Sequence, residues 1–348
     1  MKTIAIVGAT GYAGAELVAL LLGHPEIAFD ALTGSNRSEA PAADLADLHP
    51  RFRGTCPLPL SPLDPESIHA RRPDAVLLAT PHEASLDLAS WFFDRGIPVV
   101  DLSAAFRLPD AALYPAHYGF EHDRKDLLAT ATYGLAELAS TDLATAELIA
   151  VPGCYPTATI LPVRPLVDAG LVDLAEPVIV DATSGVSGAG KGPRPHTSFC
   201  EVGLQPYAVL GHRHQPEMAA HTGARVMFTP HLGAFDRGIL ATIHLKLVGG
   251  VGEEDARRVL QATYGDHPCV QLLAANQWPS VQAVERTNRC DIGLQGVPEH
   301  GRLLISSAID NLVKGAAGQA VQCLNLRLGL PMDLGLVESS PHPVGADA

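Results

Sequence analysis

The chain has 348 residues, of which 47% are hydrophobic and 18% charged, a globular composition that is long enough for two domains. Its 24 Lys and Arg residues against 38 Asp and Glu give a formal net charge of −14, which argues against nucleic acids and anionic membranes as partners. No apolar stretch reaches the roughly 20 residues of a membrane-spanning helix. The six cysteines fall in no zinc-type spacing, and Met1 leads directly into a strand-like run, so we expect a cytoplasmic protein with reduced thiols and no signal peptide.

The first half of the chain is predicted to alternate strands with helices. Short apolar runs predict strands at 3–8, 26–32, 75–79 and 97–102, with helices at 15–22 and 83–95. Strands that are buried on both faces are typical of a parallel sheet. We therefore predict an α/β fold in which residues 1–150 form a doubly wound domain of the Rossmann type.

The character of the sequence changes near Val151. The pattern predicts a helix at 157–169, strands at 177–182, 239–248, 281–284 and 303–309, and a last helix at 313–327. We expect residues 151–312 to form an α+β domain for substrate and oligomer contacts, and a final helix within 313–330 to pack back onto the first domain. Residues after Glu338 are predicted to be a loose tail.

Three glycines lie between the first predicted strand and the first helix. A phosphate has to approach backbone N–H groups at a helix N-terminus, where side chains would block it, and glycine also permits the turn. This context predicts a dinucleotide site; the alternative is a turn that serves only helix–strand packing. The candidate cofactor-binding residues are Gly8, Thr10, Gly11, Tyr12 and Gly14.

The end of the second predicted strand distinguishes NADP from NAD. An NAD enzyme usually has an acidic residue there, which binds the ribose hydroxyls. Residues 32–38 contain no acid, whereas Ser35, Arg37 and Ser38 offer donors for a 2′-phosphate. We therefore predict NADP; the alternative for Arg37 is a solvated loop charge. Equal or better use of NADH would contradict this prediction.

Cys154 is the candidate nucleophile. It lies between Gly153, which permits a tight turn, and Pro156, which a first helical turn tolerates. A cysteine at or just before a helix N-terminus is favoured as the thiolate, the reactive form. The alternative for any cysteine is a buried small hydrophobic residue, and we apply it to the other five.

A proton carrier is expected within 207–217. His212 and His214 flank Arg213 there, an unusual arrangement. Imidazoles also bind zinc, but nothing nearby supplies a convincing ligand set, so we favour acid/base chemistry and expect no metal. The remaining alternative is a surface-exposed His-Arg-His segment.

Further candidates follow predicted strands or open the last helix. The Gly/Ser-rich loop at 184–192 offers groups for a carboxylate or phosphate, or is a flexible surface loop. Arg107 follows a first-domain strand, where it suits a bidentate anion clamp, and Asn311 either bonds a nicotinamide amide or caps the helix. The candidates are Ser184 and Arg107 for the substrate, and Pro81, Ser187, Gly188 and Asn311 for the cofactor.

Together these segments resemble the N-acetyl-gamma-glutamyl-phosphate reductases of arginine biosynthesis. The matching segments span nearly the whole chain in order, and the most specific are Pro152–Thr157 (Pro-Gly-Cys-Tyr-Pro-Thr) and Ser184–Gly190 (Ser-Gly-Val-Ser-Gly-Ala-Gly). The resemblance implies a fold shared with aspartate-semialdehyde and glyceraldehyde-3-phosphate dehydrogenases. It also implies NADPH as cofactor and a homodimer or homotetramer.

The resemblance also implies roles for individual residues. Cys154 would be the nucleophile that carries a thioester, and His214 the acid/base with His212 nearby. Arg107 and Glu217 would help to position the substrate, and His212 would also contribute to its binding. The implied reaction is the NADPH-dependent reduction of N-acetyl-gamma-glutamyl phosphate to N-acetyl-glutamate 5-semialdehyde and phosphate.

Three alternatives remain open at this point. One is the reductase of a carrier-protein-linked aminoadipyl phosphate in lysine biosynthesis, against which Tyr155 and Pro156 argue. The others are a phosphorylating aldehyde dehydrogenase and a non-catalytic NADP-binding sensor, which would need no thiol at a helix start. The chain departs from the family pattern at Ala105, where Asp is frequent, and at Val151, where Asn is frequent.

Overall fold

A computed structural model describes residues 1–35, 44–56 and 58–336. Within these residues the first sheet has six strands, all parallel, in the order β2-β1-β3-β4-β6-β5. Its strands are β1 (Lys2–Val7), β2 (Ile27–Thr33), β3 (Ala75–Leu78), β4 (Val99–Asp101), β5 (Thr132–Tyr133) and β6 (Leu148–Ala150). The predicted parallel, doubly wound sheet is confirmed.

Helices cover both faces of this sheet. The α-helices of the described residues are α1 (Tyr12–Leu22), α2 (Leu45–Leu48), α3 (Pro65–Arg71), α4 (His82–Phe93), α5 (Tyr114–Tyr118), α6 (Lys125–Leu128), α7 (Ala136–Leu143), α8 (Cys154–Asp168), α9 (His214–Thr222), α10 (Glu253–Tyr264), α11 (Val281–Val284) and α12 (Gly318–Arg327). Apolar side chains of α1 and α12 pack together on one face, and those of α3 and α4 pack on the other. In the described part of the chain, no helix combines the length and the apolar character that crossing a membrane requires.

The carboxyl ends of neighbouring strands bring the predicted site residues to one edge. Gly8 follows β1, Pro81 follows β3, Arg107 follows β4 and Cys154 follows β6, and these four strands are adjacent in the order β1-β3-β4-β6. Ligands of open α/β sheets bind at this edge, beside the strand where the order reverses. These residues lie far apart in the sequence, and the order of the strands in the sheet brings them to one edge.

The second sheet is mixed, in the order β11-β12-β13-β10-β7-β9-β8. Its strands are β7 (Val178–Ser184), β8 (Gln205–Pro206), β9 (Val226–Leu232), β10 (Ile239–Lys246), β11 (Val270–Leu272), β12 (Cys290–Val297) and β13 (Arg302–Ile309). Along β10 buried and half-buried residues alternate, so one face of the strand packs into a core with α8 and α10. This confirms the predicted second domain type, with a mixed sheet.

The structure differs from several predicted elements: the helix predicted from residue 15 begins at Tyr12, and strands β5, β6, β8, β9, β11 and β12 were not predicted. Residues Val281–Val284 are a helical turn, not a strand, because the Ser280 hydroxyl caps it by accepting from the Ala283 N–H. The helix predicted from residue 157 begins at Cys154. The last helix begins as a π-helical turn over Val313–Ala317, which the continuous apolar pattern did not indicate.

Candidate active site

The glycine loop after β1 has the shape of a phosphate cradle. Gly8 has a φ of +93°, and a Cβ there would lie 2.3 Å from the carbonyl oxygen of Ala79. At Gly14 a Cβ would lie 2.1 Å from the carbonyl oxygen of Gly8. Gly11 is the N-cap of α1 and offers no side-chain cap, so the first N–H groups of this helix are left for a ligand. The residues fit the pyrophosphate of a dinucleotide.

The other predicted cofactor residues fall into two groups. Ser35 lies in a bend after β2, whereas Arg37 and Ser38 lie outside the described residues. Asn311 donates from Nδ2 to Ser187 Oγ (3.0 Å), and its Oδ1 accepts from the Gly238 N–H (2.6 Å). Asn311 does not cap the helical turn, because Asp310 accepts from the N–H groups of Leu312 and Val313 instead. Its predicted bond to a nicotinamide amide stays a prediction.

Cys154 is the first residue of α8 and is half-buried. It lines a cavity of about 520 Å³. The predicted residues Ser184, Gly188, His212 and His214 line the same cavity. The structure therefore brings together the thiol, both imidazoles and the Gly/Ser-rich loop, which are far apart in the sequence.

Two glycines allow the close packing around Cys154. A Cβ at Gly153 would lie 2.6 Å from Nε2 of His214 and 3.0 Å from Nη1 of Arg107. A Cβ at Gly315, in the π-helical turn, would lie 2.7 Å from Cβ of Cys154. Cys154 thus lies against the bare backbone of Gly315, and the residue before it, Gly153, lies against the imidazole of His214. Gly315 was not predicted, since a glycine inside an apolar helix pattern gave no signal of this contact.

Burial raises the pKa of the Cys154 thiol above its ordinary value, and the charges of Arg107 and Arg213 oppose this only in part. The helix start that favours the thiolate is present, but burial outweighs it in the free chain. A base is therefore needed to take the proton when a substrate carbonyl arrives.

His214 has the properties of such a base. Its side chain is buried, and burial lowers its pKa well below the ordinary value, with the positive charges of Arg213 and Arg107 acting in the same direction. The imidazole is therefore neutral and can accept a proton. Its Nε2 is directed at Gly153, next to the thiol, and its buried Nδ1 has no hydrogen-bond partner among the described residues.

His212 has a different position. Its Nδ1 accepts from the backbone N–H of His214 (3.1 Å), so it caps the start of α9. Burial, aided by the charge of Arg213, lowers its pKa to about 4, and the ring is neutral as well. The hydrogen bond to backbone makes His212 a support for His214.

Arg107 and Glu217 lie behind the nucleophile loop and not among the described residues that line the cavity. Glu217 is fully buried, and its Oε1 accepts from the Gly153 N–H and from the Tyr133 hydroxyl, both at 2.8 Å. Arg107 donates Nε and Nη2 to the carbonyls of Val151 and Leu102, both at 2.7 Å, and its Nη1 lies 3.7 Å from Glu217. The geometry supports positioning roles for both residues and leaves no bidentate clamp at Arg107.

Sequence reasoning missed Tyr133 and His221, which extend this network. Their rings stack with centroids 3.4 Å apart, and Nε2 of His221 bonds to the Arg107 carbonyl (2.8 Å). It also left Arg213 without a role, although this residue lines the cavity. In the described part of the chain, no cluster of three or more potential metal ligands occurs.

The chain is similar to known proteins over nearly all of its length. The family model for the semialdehyde dehydrogenase NAD binding domain matches residues 3–146, and the model for the semialdehyde dehydrogenase dimerisation domain matches 154–311. An N-acetyl-gamma-glutamyl-phosphate reductase of Salmonella typhi is 50% identical over 329 residues, which cover 94% of this chain and 98% of that protein.

Solved structures with the same fold include two aspartate semialdehyde dehydrogenases. Enzyme II of Vibrio cholerae, complexed with ASA, has a TM-score of 0.71 at 18% identity and covers 94% of this chain and 98% of its own. The Candida albicans enzyme, solved with NADP, has a TM-score of 0.69 at 16% identity and covers 95% of this chain and 100% of its own. These two matches show the fold.

Proposed function

The chain belongs to the N-acetyl-gamma-glutamyl-phosphate reductase family, and we propose that Cys154 and His214 carry out its reaction. That reaction is the NADPH-dependent reduction of N-acetyl-gamma-glutamyl phosphate to N-acetyl-glutamate 5-semialdehyde and phosphate, in arginine biosynthesis. The observation that supports these residues most strongly is the Cys154 thiol at the start of α8, with Nε2 of a neutral His214 directed at the preceding Gly153.

In the first step, Cys154 Sγ forms a bond to the acyl carbon and the carbonyl electron pair moves to its oxygen, which gives a tetrahedral oxyanion. The carbonyl then re-forms as the bond from that carbon to the phosphate oxygen breaks. Phosphate leaves with the electron pair of that bond, and a thioester remains on Cys154. His214 takes the thiol proton as the sulfur attacks, which a neutral imidazole can do. The N–H groups at the start of α8 are available to stabilise the oxyanion, an effect typically worth roughly 3 kcal/mol per donor.

NADPH, when bound, supplies the hydride that takes the thioester to the aldehyde level. The glycine loop would hold the pyrophosphate, and Ser35, Arg37 and Ser38 the 2′-phosphate. Ser187 and Gly188, beside Asn311, would face the nicotinamide end. After reduction, the carbon–sulfur bond breaks to release the semialdehyde, and His214 returns its proton so that the free thiol is restored.

A steady-state assay in the reverse direction tests the function. Purified protein is given N-acetyl-glutamate 5-semialdehyde, phosphate and NADP, and NADPH formation is followed by absorbance. We expect NADPH to form only when all three are present. No NADPH under any condition, together with no reduction of the acyl phosphate in the forward direction, would contradict the proposed function.

The assay also separates the alternatives. A preference for aminoadipyl phosphate on its carrier protein would favour the lysine-pathway reaction. A sensor would bind NADP without turnover, and iodoacetamide would then show no preference for Cys154 over the other cysteines in mass spectrometry.

The assembly and location remain proposals. We propose a homodimer or homotetramer formed through residues 151–312, because the matched family model describes a dimerisation domain there. Phe199 and Leu204 in this region are 95% and 74% exposed in the single chain, and burial against a second copy would remove this apolar surface from water. Light scattering of the purified protein tests this. We propose a cytoplasmic location, which six free cysteines fit.

A further inference from the structure

In an acyl phosphate, one bridging oxygen joins the phosphoryl group to the carbon that the sulfur attacks. A substrate bound beside Cys154 therefore brings the negative charge of the phosphoryl group into the cavity, and this charge needs a cation. The charges of two arginines, Arg107 and Arg213, lower the pKa of the Cys154 thiol. Arg107 donates hydrogen bonds to two backbone carbonyls and lies beside the carboxylate of Glu217, so its charge is largely compensated. Arg194 lines the cavity as well, but Arg213, which is exposed and lines it too, is the arginine whose charge also lowers the pKa of the Cys154 thiol. It is in no ion pair with the residues that the structure describes.

Hydrogen bonds hold both the backbone and the guanidinium group of Arg213. Its backbone is the N-cap of α9, directly before His214, and its carbonyl accepts from the Tyr118 hydroxyl (3.3 Å). Its Nη1 donates to Nε2 of His82 across a distance of 2.8 Å. His82 opens α4 after β3, so this hydrogen bond joins the start of α4 to the start of α9.

His82 holds the guanidinium without cancelling its charge. Burial, followed by the charges of Arg213 and Arg107, lowers the pKa of His82 to about 4, so the ring is neutral near pH 7. A carboxylate at the same place would hold Arg213 equally well but would compensate its charge. A neutral acceptor therefore keeps one full positive charge available to an anion in the cavity.

We propose that Arg213 binds the phosphoryl group of the acyl phosphate, and the incoming phosphate in the reverse direction, and that His82 is the positioning residue that holds Arg213 for it. The proposal rests on the proposed function and adds to it the residue that recognises the leaving group. Arginine suits this task because its planar donors match phosphate oxygens in pairs.

The reverse assay measures the KM for phosphate separately from the KM for the semialdehyde. Because hydrogen bonds to charged groups are strong, we expect Arg213→Gln to raise the KM for phosphate about 10- to 100-fold. The KM values for the semialdehyde and NADP should stay within about twofold of those of the unaltered protein. Arg213→Lys keeps the charge without the paired donors, so its KM for phosphate should lie between those of the unaltered protein and Arg213→Gln.

His82 supplies the matched pair of variants. His82→Gln keeps a neutral acceptor and should leave the KM for phosphate nearly unchanged, whereas His82→Glu compensates Arg213 and should raise it like Arg213→Gln. Arg258→Gln, at an exposed surface arginine outside the cavity lining, is the control for loss of a positive charge. NADPH binding, followed by fluorescence, reports whether each variant is folded; if Arg213→Gln does not fold, Arg213→Lys and His82→Glu decide the question.

An unchanged KM for phosphate in Arg213→Gln would overturn the inference. So would a raised KM for the semialdehyde alone, which would assign Arg213 to the substrate carboxylate. If the unaltered protein catalyses neither direction, the proposed function fails. That result differs from an active enzyme in which Arg213→Gln leaves the KM for phosphate unchanged, which would contradict only the role of Arg213.

Discussion

Gly153→Ala is the sharpest test of how the nucleophile and base are arranged. Gly153 has φ −68° and ψ 157°, which alanine adopts without strain, so the change acts only through the added methyl group. That carbon would lie 2.6 Å from His214 Nε2, and ordinary contact begins at 3.4 Å, so the imidazole has to move by about 0.8 Å. Because a misplacement of about 1 Å costs about 100-fold in rate, we expect kcat to fall by about two orders of magnitude.

The measurement is steady-state kcat in both directions, with NADPH affinity and urea unfolding as accompanying readouts. NADPH affinity should be unchanged, since the glycine loop lies between β1 and α1 and Gly153 follows β6, while overpacking should destabilise the fold by about 1–3 kcal/mol. Gly249→Ala is the matched control, because a Cβ there meets nothing within 4 Å. If Gly153→Ala keeps the original kcat while it binds NADPH, then His214 is not the base that faces Cys154.

Three other outcomes follow from the same structure. Cys154→Ser should lower kcat by orders of magnitude with NADPH binding intact, as measured by turnover and fluorescence titration; retention of most activity would exclude the thioester route. His212 and His214 have lowered pKa values in the folded chain, so the unfolded chain takes up more protons as the pH falls below about 6.5, and the free energy of unfolding should fall there. Urea unfolding at several pH values measures this fall, which His212→Gln should make shallower; an equal slope in that variant would contradict a neutral, half-buried His212. Glu137→Gln leaves the fully buried Lys314 without its charged partner and should cost about 3–5 kcal/mol in thermal or urea unfolding, whereas a Glu137→Gln, Lys314→Met double variant should recover part of that loss.

The glycines and the strand ends were readable from the sequence because each reflects a local requirement. Gly8 and Gly14 are required where backbone oxygens come within 2.3 Å of any Cβ, and this follows from a strand–turn–helix pattern within a few residues. Cys154 was readable for a similar reason, since Gly153 and Pro156 mark a helix start. The Val281–Val284 turn was misjudged because a four-residue run with three apolar residues fits a strand as well as a helix, and the deciding contact is a single hydroxyl cap from Ser280.

The roles of Arg107 and Arg213 could not be predicted from the sequence. Whether an arginine can bind a ligand depends on which acceptors in the fold already accept its N–H donors. Both are single arginines near predicted site motifs, and Arg107, at the end of a strand, had the better local argument. In the fold, the carbonyls of Val151 and Leu102 take two donors of Arg107, whereas Arg213 is held by the neutral ring of His82. Leu102 lies only 5 residues from Arg107, but Val151 lies 44 residues from it and His82 lies 131 residues from Arg213, so a local window of sequence does not contain the full set of acceptors. A charge that is hydrogen-bonded to carbonyls and faces a carboxylate supports the loop that carries the nucleophile, while a charge held by a neutral acceptor beside a cavity can bind an anion.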